Sequence, residues 1–451
     1  MNKEDRDINY NKAKNFVNSG NPGMAINLLR AIIEFFHDDY EAYNLSGVCN
    51  AMIGQIPKAL NEFEKAVKLN PNFPDTYSNI GILLSQVHEK EEAVKYFNHA
   101  LKLSPQNIDT LYNLAVAYKE LGLLENAIDT YNKCISYKND FAQAYMNKAL
   151  LELTLGDYKN GWKNYEWGFK SGDRVERNLR GERWKGEDIN GKSIYIYSNQ
   201  GFGDTIQFIR YLPKVQELGA KVIFECQREL FDLLEPLGFW SEIVAMNFDL
   251  SVTSEYDYHI PLLSLPLIFE TEVSTIPVQR KNIRPTKKAC DKWSEIFHDS
   301  KKKKAGIVWS GNPNHKNDKN RSCQLTLIKE LFKLENIQFY NLQLNKTDVS
   351  ISEKIIKEKL IDYTSNISDF NDTAALIDNI DLVISVDTSV AHLSAAMNKE
   401  TWVMIPFVPD WRWMLNKDDN PWYPSVKLFR QPKIGDWESV VNSIQNKLSK
   451  L

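Results

Sequence analysis

Along the first third of the chain, small, large and polar positions recur at one fixed interval. Asn9, Tyr43, Tyr77, Leu111 and Tyr145 are equally spaced. Four residues after each comes a small side chain, at Ala13, Gly47, Gly81, Ala115 and Ala149. Sixteen residues after comes another, at Ala25, Ala59, Ala93, Ala127 and Gly161, and twenty after comes a large one, at Leu29, Phe63, Phe97, Tyr131 and Tyr165. Small residues are needed where paired helices touch closely, and large ones fill the gaps between neighbouring pairs. Pro71 and Pro105 close two of the units, because proline lacks an amide donor and clashes with the preceding turn.

An interval of 34 residues with this small and large alternation is the tetratricopeptide pattern, a helix–turn–helix unit, here in about five copies. Such units stack into a curved surface whose inner groove binds extended peptides or protein faces. The plainer alternative is a spacer or a dimerisation arm. The last unit loses the pattern after Tyr165, and the aromatic residues Trp162, Trp167 and Phe169 predict a helix that docks against the following domain.

From about Ser193 the period changes. Ser193–Ser198 is β-branched and aromatic, a glycine-rich turn follows, and a helical stretch runs to Gln216. Lys221–Cys226 predicts the next strand, Arg228–Pro236 a helix, and Tyr256–Ile260 a short strand. The alternation restarts at Ala305–Trp309 and continues through Ile337–Leu342, Leu382–Val386 and Thr401–Ile405. The run Lys301–Lys304 reads as a solvated turn before a strand. Strands alternating with helices predict parallel sheets with helical crossovers. Two such series, divided by the proline-containing stretch Ile276–Pro285, predict two Rossmann-like α/β lobes behind an all-α array. The expected domains are 1–170 for the repeats, 171–285 for the first lobe and 286–451 for the second.

Composition narrows this picture only slightly. The net charge of -4 gives no global attraction to nucleic acid or to an anionic membrane, so anion recognition must be local. The five cysteines (Cys49, Cys134, Cys226, Cys290, Cys323) lack metal-type spacing and read as reduced thiols. The charged start, Met1–Asp7, is unlike a secretory signal, and no apolar run approaches the ~20 residues of a membrane span. A cytoplasmic protein without a membrane span is the expectation.

Three loops carry candidate chemistry, each after a predicted strand. In the first, Gln200-Gly201-Phe202-Gly203-Asp204-Thr205, glycines let a ligand approach the backbone, and Asp204 stands at a helix N-terminus. It either accepts a proton as a general base or caps the helix. The second runs from Ser385 to His392, where the hydroxyls of Thr388 and Ser389 at a helix N-terminus suit a phosphate. Asp387 would repel phosphate; it caps the helix or holds a sugar hydroxyl, while His392 lies in the core or at the ligand. The third loop, Trp309 to Ser322, supplies Lys316, Lys319 and Arg321, cations suited to a leaving phosphate. Neither a zinc-type cluster nor a placed Asp-x-Asp is evident, so no metal and no cofactor is expected.

These loops, with Arg180–Trp184, Pro409–Trp413 and Pro421–Pro424, together resemble bacterial tetratricopeptide-repeat glycosyltransferases, and the C-terminal half is similar to the heptosyltransferase family (glycosyltransferase family 9) of the GT-B fold. The resemblance covers nearly the whole chain. It implies inverting transfer from a nucleotide-sugar donor, with Asp204 as general base and Thr388 and Ser389 at the donor phosphates. It also implies a basic residue after the second lobe's first strand, here Lys316 or Arg321, because this loop is longer than the family's. Some relatives modify flagellins with nonulosonic acids, which makes a protein acceptor, held by the repeats, the leading expectation. A lipopolysaccharide or other glycan acceptor, or a non-catalytic adaptor with a degenerate transferase domain, are the rivals.

Overall fold

The computed structural model describes residues 1–246, 255–297, 301–344, 358–415 and 417–451. The chain divides into two compact units, Met1–Lys148 and Ala149–Leu451.

The first unit is all helix: α1 (Lys3–Asn18), α2 (Pro22–Phe35), α3 (Tyr40–Met52), α4 (Ile56–Leu69), α5 (Pro74–Gln86), α6 (Lys90–Leu103), α7 (Ile108–Glu120), α8 (Leu124–Tyr137) and the start of α9 (Ala142–Leu155). Consecutive helices pair as α1 with α2, α3 with α4, α5 with α6 and α7 with α8. The small and large positions of the repeat turn out to be two sides of one contact. A β-carbon on Gly47 would lie 2.5 Å from the Phe63 ring, and one on Gly81 would lie 2.6 Å from Phe97. Both rings are buried. The turn between paired helices needs a left-handed residue. Gly54 supplies it with φ +75°, whereas the equivalent place one unit on is held by His88 at φ 69°.

The second unit holds two wholly parallel sheets. The first contains β1 (Glu182–Arg183), β2 (Ser193–Tyr197), β3 (Lys221–Cys226), β4 (Glu242–Ala245) and β5 (Tyr258–Pro261), in the order β1-β5-β2-β3-β4. The second contains β6 (Lys303–Val308), β7 (Ile337–Asn341), β8 (Leu360–Asp362), β9 (Leu382–Val386), β10 (Glu400–Ile405) and β11 (Val426–Arg430), in the order β11-β10-β9-β6-β7-β8. Their central strands are near-continuous apolar runs, as strands covered on both faces must be. All five residues of β9 are buried. The second order is that of the doubly wound mononucleotide-binding sheet, with its reversal between β6 and β9. Crevices for ligands open at such reversals, beyond the carboxyl ends of the strands.

One expectation is corrected. Lys303 and Lys304 do not sit in a solvated turn; they open β6, opposite Ile337 and Gln338 of β7. Both are half-buried, since long aliphatic stems can lie along a sheet while the ammonium reaches water.

The helix α10 (Tyr158–Tyr165) packs within the second unit, as its aromatic residues predict. Trp162 meets Phe208 and Trp411 edge-on, with ring centroids 6.0 and 5.2 Å apart. The Trp422 indole N–H donates to Tyr158 Oη at 3.0 Å. The guanidiniums of Arg174 and Arg183 lie 4.1 and 4.6 Å from the centre of the Phe169 ring. The five cysteines are free thiols. Among the described residues no helix is long and apolar enough to cross a membrane.

Candidate functional site

The chain leaves β2 through Gln200 and Gly201 into a short helix, Phe202–Phe208. Asp204 turns back on that loop, its Oδ2 accepting the Gly201 amide at 2.9 Å. It therefore caps the helix, although Gly201 and not Asp204 occupies the cap position itself. The loop is braced from behind, where Gln227 Nε2 donates to the Gln200 carbonyl at 2.8 Å. Gly203 faces the other way. A β-carbon there would stand 2.8 Å from His392 Cδ2, so only glycine lets this helix lie against the helix Ser389–Ala396 that follows β9.

Just past the end of β9, Thr388 is the cap residue of the Ser389–Ala396 helix, and its own side chain makes no capping hydrogen bond. Thr388 Oγ1 and Ser385 Oγ share a hydrogen bond of 2.9 Å. Thr388 and Ser389 remain half-buried, at the rim rather than in the core. Of the two readings of Asp387, helix cap or holder of a sugar hydroxyl, the first does not describe this helix, whose cap residue is Thr388; the Asp387 carboxylate Oδ1 lies 3.9 Å from His392 Nε2. His392 is buried, stacks on Trp413 at 5.2 Å and shares a hydrogen bond of 3.1 Å between Nδ1 and Tyr423 Oη.

Because β6 and β9 are neighbours, the loops that follow them converge. Arg321 Nη1 donates to the Asp387 carbonyl at 3.1 Å, and its Nε lies 3.2 Å from Asp318 Oδ1. Gly311 makes room for that pair, since a β-carbon would approach both Arg321 Nη2 and Asp318 Oδ1 to 2.5 Å. Lys316 is not brought in. Its side chain is 95% exposed, 3.7 Å from Asp173, and Lys319 is exposed as well. Of the two cations considered for a phosphate, Arg321 is the one beside the Asp387–Ser389 turn.

The sequence reading missed a further group, from the segment Asp410–Trp413. Asp410 Oδ1 accepts from the Arg412 amide at 3.0 Å and from Arg412 Nη1 at 2.8 Å. The Arg412 guanidinium lies 4.2 Å over the Trp411 ring, and Nη2 closes an ion pair with Asp204 Oδ1 of the first lobe. Arg210 ties the same regions together below, donating from Nη1 to the Trp422 carbonyl at 2.7 Å. The signal in the sequence was an Asp and an Arg two residues apart among tryptophans, but nothing local names the partner 208 residues away.

Electrostatics follow from this crowding. Burial, and next the charge of Asp410, push the Asp387 carboxyl up to about 6, against the pull of Arg321 and Arg412. For Asp410 burial acts upward too, yet Arg412, through its charge and two hydrogen bonds, holds that carboxyl below its ordinary range. Burial, reinforced by the Arg412 charge, lowers His392 to about 3, so its ring is neutral. Its contact with Asp387 is therefore no ion pair at neutral pH. Burial works against the charge on Arg412, but Asp204 and Asp410 outweigh it and keep the guanidinium protonated.

The arrangement offers a carboxylate on one lobe, a helix start with two hydroxyls on the other, Arg321 beside that start and Arg412 reaching across to the carboxylate. Among the described residues no group of three or more His, Cys, Asp or Glu is arranged to hold a metal ion.

Comparison with known proteins fits both halves of the chain. Residues 53–87 match the family described as TPR repeat, and residues 74–107 and 108–141 match Tetratricopeptide repeat. Residues 366–402 match Glycosyltransferase family 9 (heptosyltransferase), a segment that contains β9, Asp387, Thr388, Ser389 and His392. Protein FlbA of Caulobacter vibrioides is 23% identical over 336 residues, which is 68% of this chain and 55% of FlbA. The chain thus spans little more than half the length of that relative. Among solved structures, MamA from Desulfovibrio magneticus RS-1 (residues 41 to the end) is 18% identical, with a TM-score of 0.32, covering 38% of this chain and 96% of MamA. PilF of Pseudomonas aeruginosa is 20% identical, with a TM-score of 0.36, covering 39% of this chain and 79% of PilF. The chain thus carries tetratricopeptide-type repeats in its first third and, at residues 366–402, a segment similar to glycosyltransferase family 9.

Proposed function

We propose that the protein is an inverting, metal-independent glycosyltransferase of the two-lobed GT-B kind, moving a sugar from a nucleotide-sugar donor to a protein acceptor held by the repeat array. The observation that carries this reading is the meeting of the β2 and β9 loops through Gly203 and His392, the latter within the segment that matches glycosyltransferase family 9. In this reading the second lobe binds the donor. Its phosphates lie at the start of the Ser389–Ala396 helix, with Thr388 and Ser389 as hydroxyl donors and Arg321 as the fixed cation.

The acceptor hydroxyl enters from the first lobe. Its oxygen attacks the anomeric carbon from the face opposite the phosphate while Asp204 takes its proton. The bond from the anomeric carbon to the phosphate oxygen breaks, and its electron pair stays on the phosphate. A guanidinium stabilises the charge that develops there, and His392, being neutral, packs the cleft. The reading needs no metal and no bound cofactor. The acceptor is a protein, with flagellin one candidate, and the site of action is the cytoplasm.

The test has two arms. Calorimetric titration with CMP, UDP, GDP and ADP should show binding of one nucleotide, weakened in an Arg321→Ala, Thr388→Ala variant. Co-expression with a candidate acceptor should add one sugar mass to the intact acceptor, and Asp204→Asn should abolish that shift while the protein stays folded. No binding of any nucleotide to any form would leave a non-catalytic adaptor as the better reading. A mass shift on a glycan with none on protein would move the acceptor to the polysaccharide class.

A further inference from the structure

We propose that Arg412 is a shared ligand: it pairs with Asp204, and an arriving donor phosphate draws it away and so frees Asp204 to receive the acceptor's proton. This rests on the reading of the cleft as a nucleotide-sugar site.

Both oxygens of Asp204 are already taken. Oδ2 accepts the Gly201 amide and Oδ1 accepts Arg412 Nη2. Each oxygen keeps a further lone pair, but the guanidinium stands against Oδ1 and attracts the charge that a proton transfer would cancel, so it competes with an incoming hydroxyl for this carboxylate. The Gly201 amide is fixed backbone at a helix start; the guanidinium is the partner that can move. Its side chain is 13% exposed and that of Asp204 is 16%, which puts the pair at the wall of the cleft rather than in the core.

The surroundings of Arg412 allow such a movement. Its backbone is pinned, since Asn420 Nδ2 donates to its carbonyl at 2.7 Å and Asp410 accepts its amide. The guanidinium keeps Asp410 through Nη1 and the face of Trp411, so releasing Asp204 leaves it neither unpaired nor unsupported. Asp204 likewise keeps the Gly201 amide and the positive end of a helix.

Charge balance gives the direction. Asp204, Asp387 and Asp410 stand against Arg321 and Arg412, and Arg321 is already beside Asp318. A phosphate entering that cluster meets an excess of carboxylates and needs a second cation. Arg412 is placed to be that cation, and a guanidinium binds phosphate through the same planar fork that it offers a carboxylate. The donor and Asp204 then compete for one group, and the base is released only when the donor is in place.

The competition is read by nucleotide affinity, measured by calorimetry with the same CMP, UDP, GDP and ADP panel on the full chain. Asp204→Asn removes the competitor and should tighten the bound nucleotide by roughly fivefold to tenfold, the size of a modest ion-pair term. Arg412→Gln removes the cation and should weaken it by at least about tenfold. In the double variant the gain from Asp204→Asn should vanish, because there is no longer a guanidinium to release. Should Arg412→Gln fail to fold, Arg412→Lys serves instead; it keeps a charge but loses the fork, and its affinity should fall between the two.

An Asp204→Asn affinity equal to or weaker than that of the wild type overturns the proposal. So does a gain that persists without Arg412. Binding by Asp204→Asn alone, with none by the wild type, supports it. Failure of every form to bind a nucleotide removes the donor-site reading itself, and this inference with it.

Discussion

A β-carbon at position 203 would stand 2.8 Å from His392 Cδ2, so the helices that begin at Phe202 and Ser389 touch through the absence of one methyl group. This contact sets the distance between the two loops that carry Asp204 and Thr388. Gly203→Ala should cost about 1–3 kcal/mol of stability, as overpacking does. It should also lower transfer more than it lowers nucleotide affinity, because the lobes are forced apart while the donor loop stays intact. Gly201→Ala is the comparison, since its β-carbon would meet only Asp204 Oδ2, at 3.3 Å. Denaturation and steady-state kinetics on the two variants check the order.

The pH dependence of nucleotide affinity should report Asp387. Its carboxyl, raised to about 6 by burial and by Asp410, is ionised at pH 8 and partly protonated near pH 6. An ionised carboxylate repels a phosphate, so affinity should rise as the pH is lowered from 8 to about 6. Asp387→Asn should remove that part of the profile, leaving only the titration of the nucleotide itself.

Stability against acid has two opposing contributions. His392, lowered to about 3, stays neutral in the native state while the unfolded chain takes up a proton near 6.5. Stability is then lost as the pH falls from about 6.5 to 3, by at most about 1.4 kcal/mol per pH unit. Asp387 has the opposite sign. Its raised carboxyl gives stability that is present below about 4 and lost as the pH rises through about 6. Urea denaturation at a series of pH values should show a shallower acid limb for His392→Gln and a steeper one for Asp387→Asn.

His88 holds a left-handed turn at φ 69° where the preceding unit has Gly54. It is exposed, so nothing is lost by shortening it. His88→Gly should stabilise the array by about 0.5–1 kcal/mol, the usual relief for a residue with a β-carbon in that conformation. A shift of the denaturation midpoint in urea would measure it.

Trp162 is buried against Phe208 and Trp411, and Trp411 in turn carries the Arg412 guanidinium. Trp162→Ala should cost about 3–5 kcal/mol. Nucleotide affinity should fall with it, since Trp411 carries the face on which the Arg412 guanidinium lies. Chemical denaturation followed by calorimetry separates the two effects.

Much of this molecule was legible in the order of its residues, for reasons that differ between its parts. The repeat could be read because each unit buries its residues against its sequence neighbours, as Gly47 does with Phe63. The central strands β3 and β9 could be read because apolar runs between turn residues have few other uses. The three loops could be found because each follows such a strand. What escaped depends on distance along the chain. Neither the ion pair of Asp204 with Arg412 nor the bond from Arg210 to the Trp422 carbonyl leaves a local trace. Lys303 was misplaced because a run of lysines looks like a turn until its neighbour strand is known.

The long span of those two links has a consequence for how the protein is made. Asp204 and Arg412 are 208 residues apart, and Arg210 and Trp422 are 212 apart. At ~5–20 residues per second, a ribosome needs roughly 10–40 s to travel that far. The first sheet is fully synthesised once Pro261 has been added, and for the rest of that interval Arg210 lacks its carbonyl and Asp204 lacks its guanidinium. The nascent chain therefore carries a charged, hydrated surface until Arg412 and Trp422 arrive to cover it. A chain stopped before Asp410 would leave Asp204 and Arg210 without these partners, so the Asp410–Tyr423 segment is what closes the link between the two sheets.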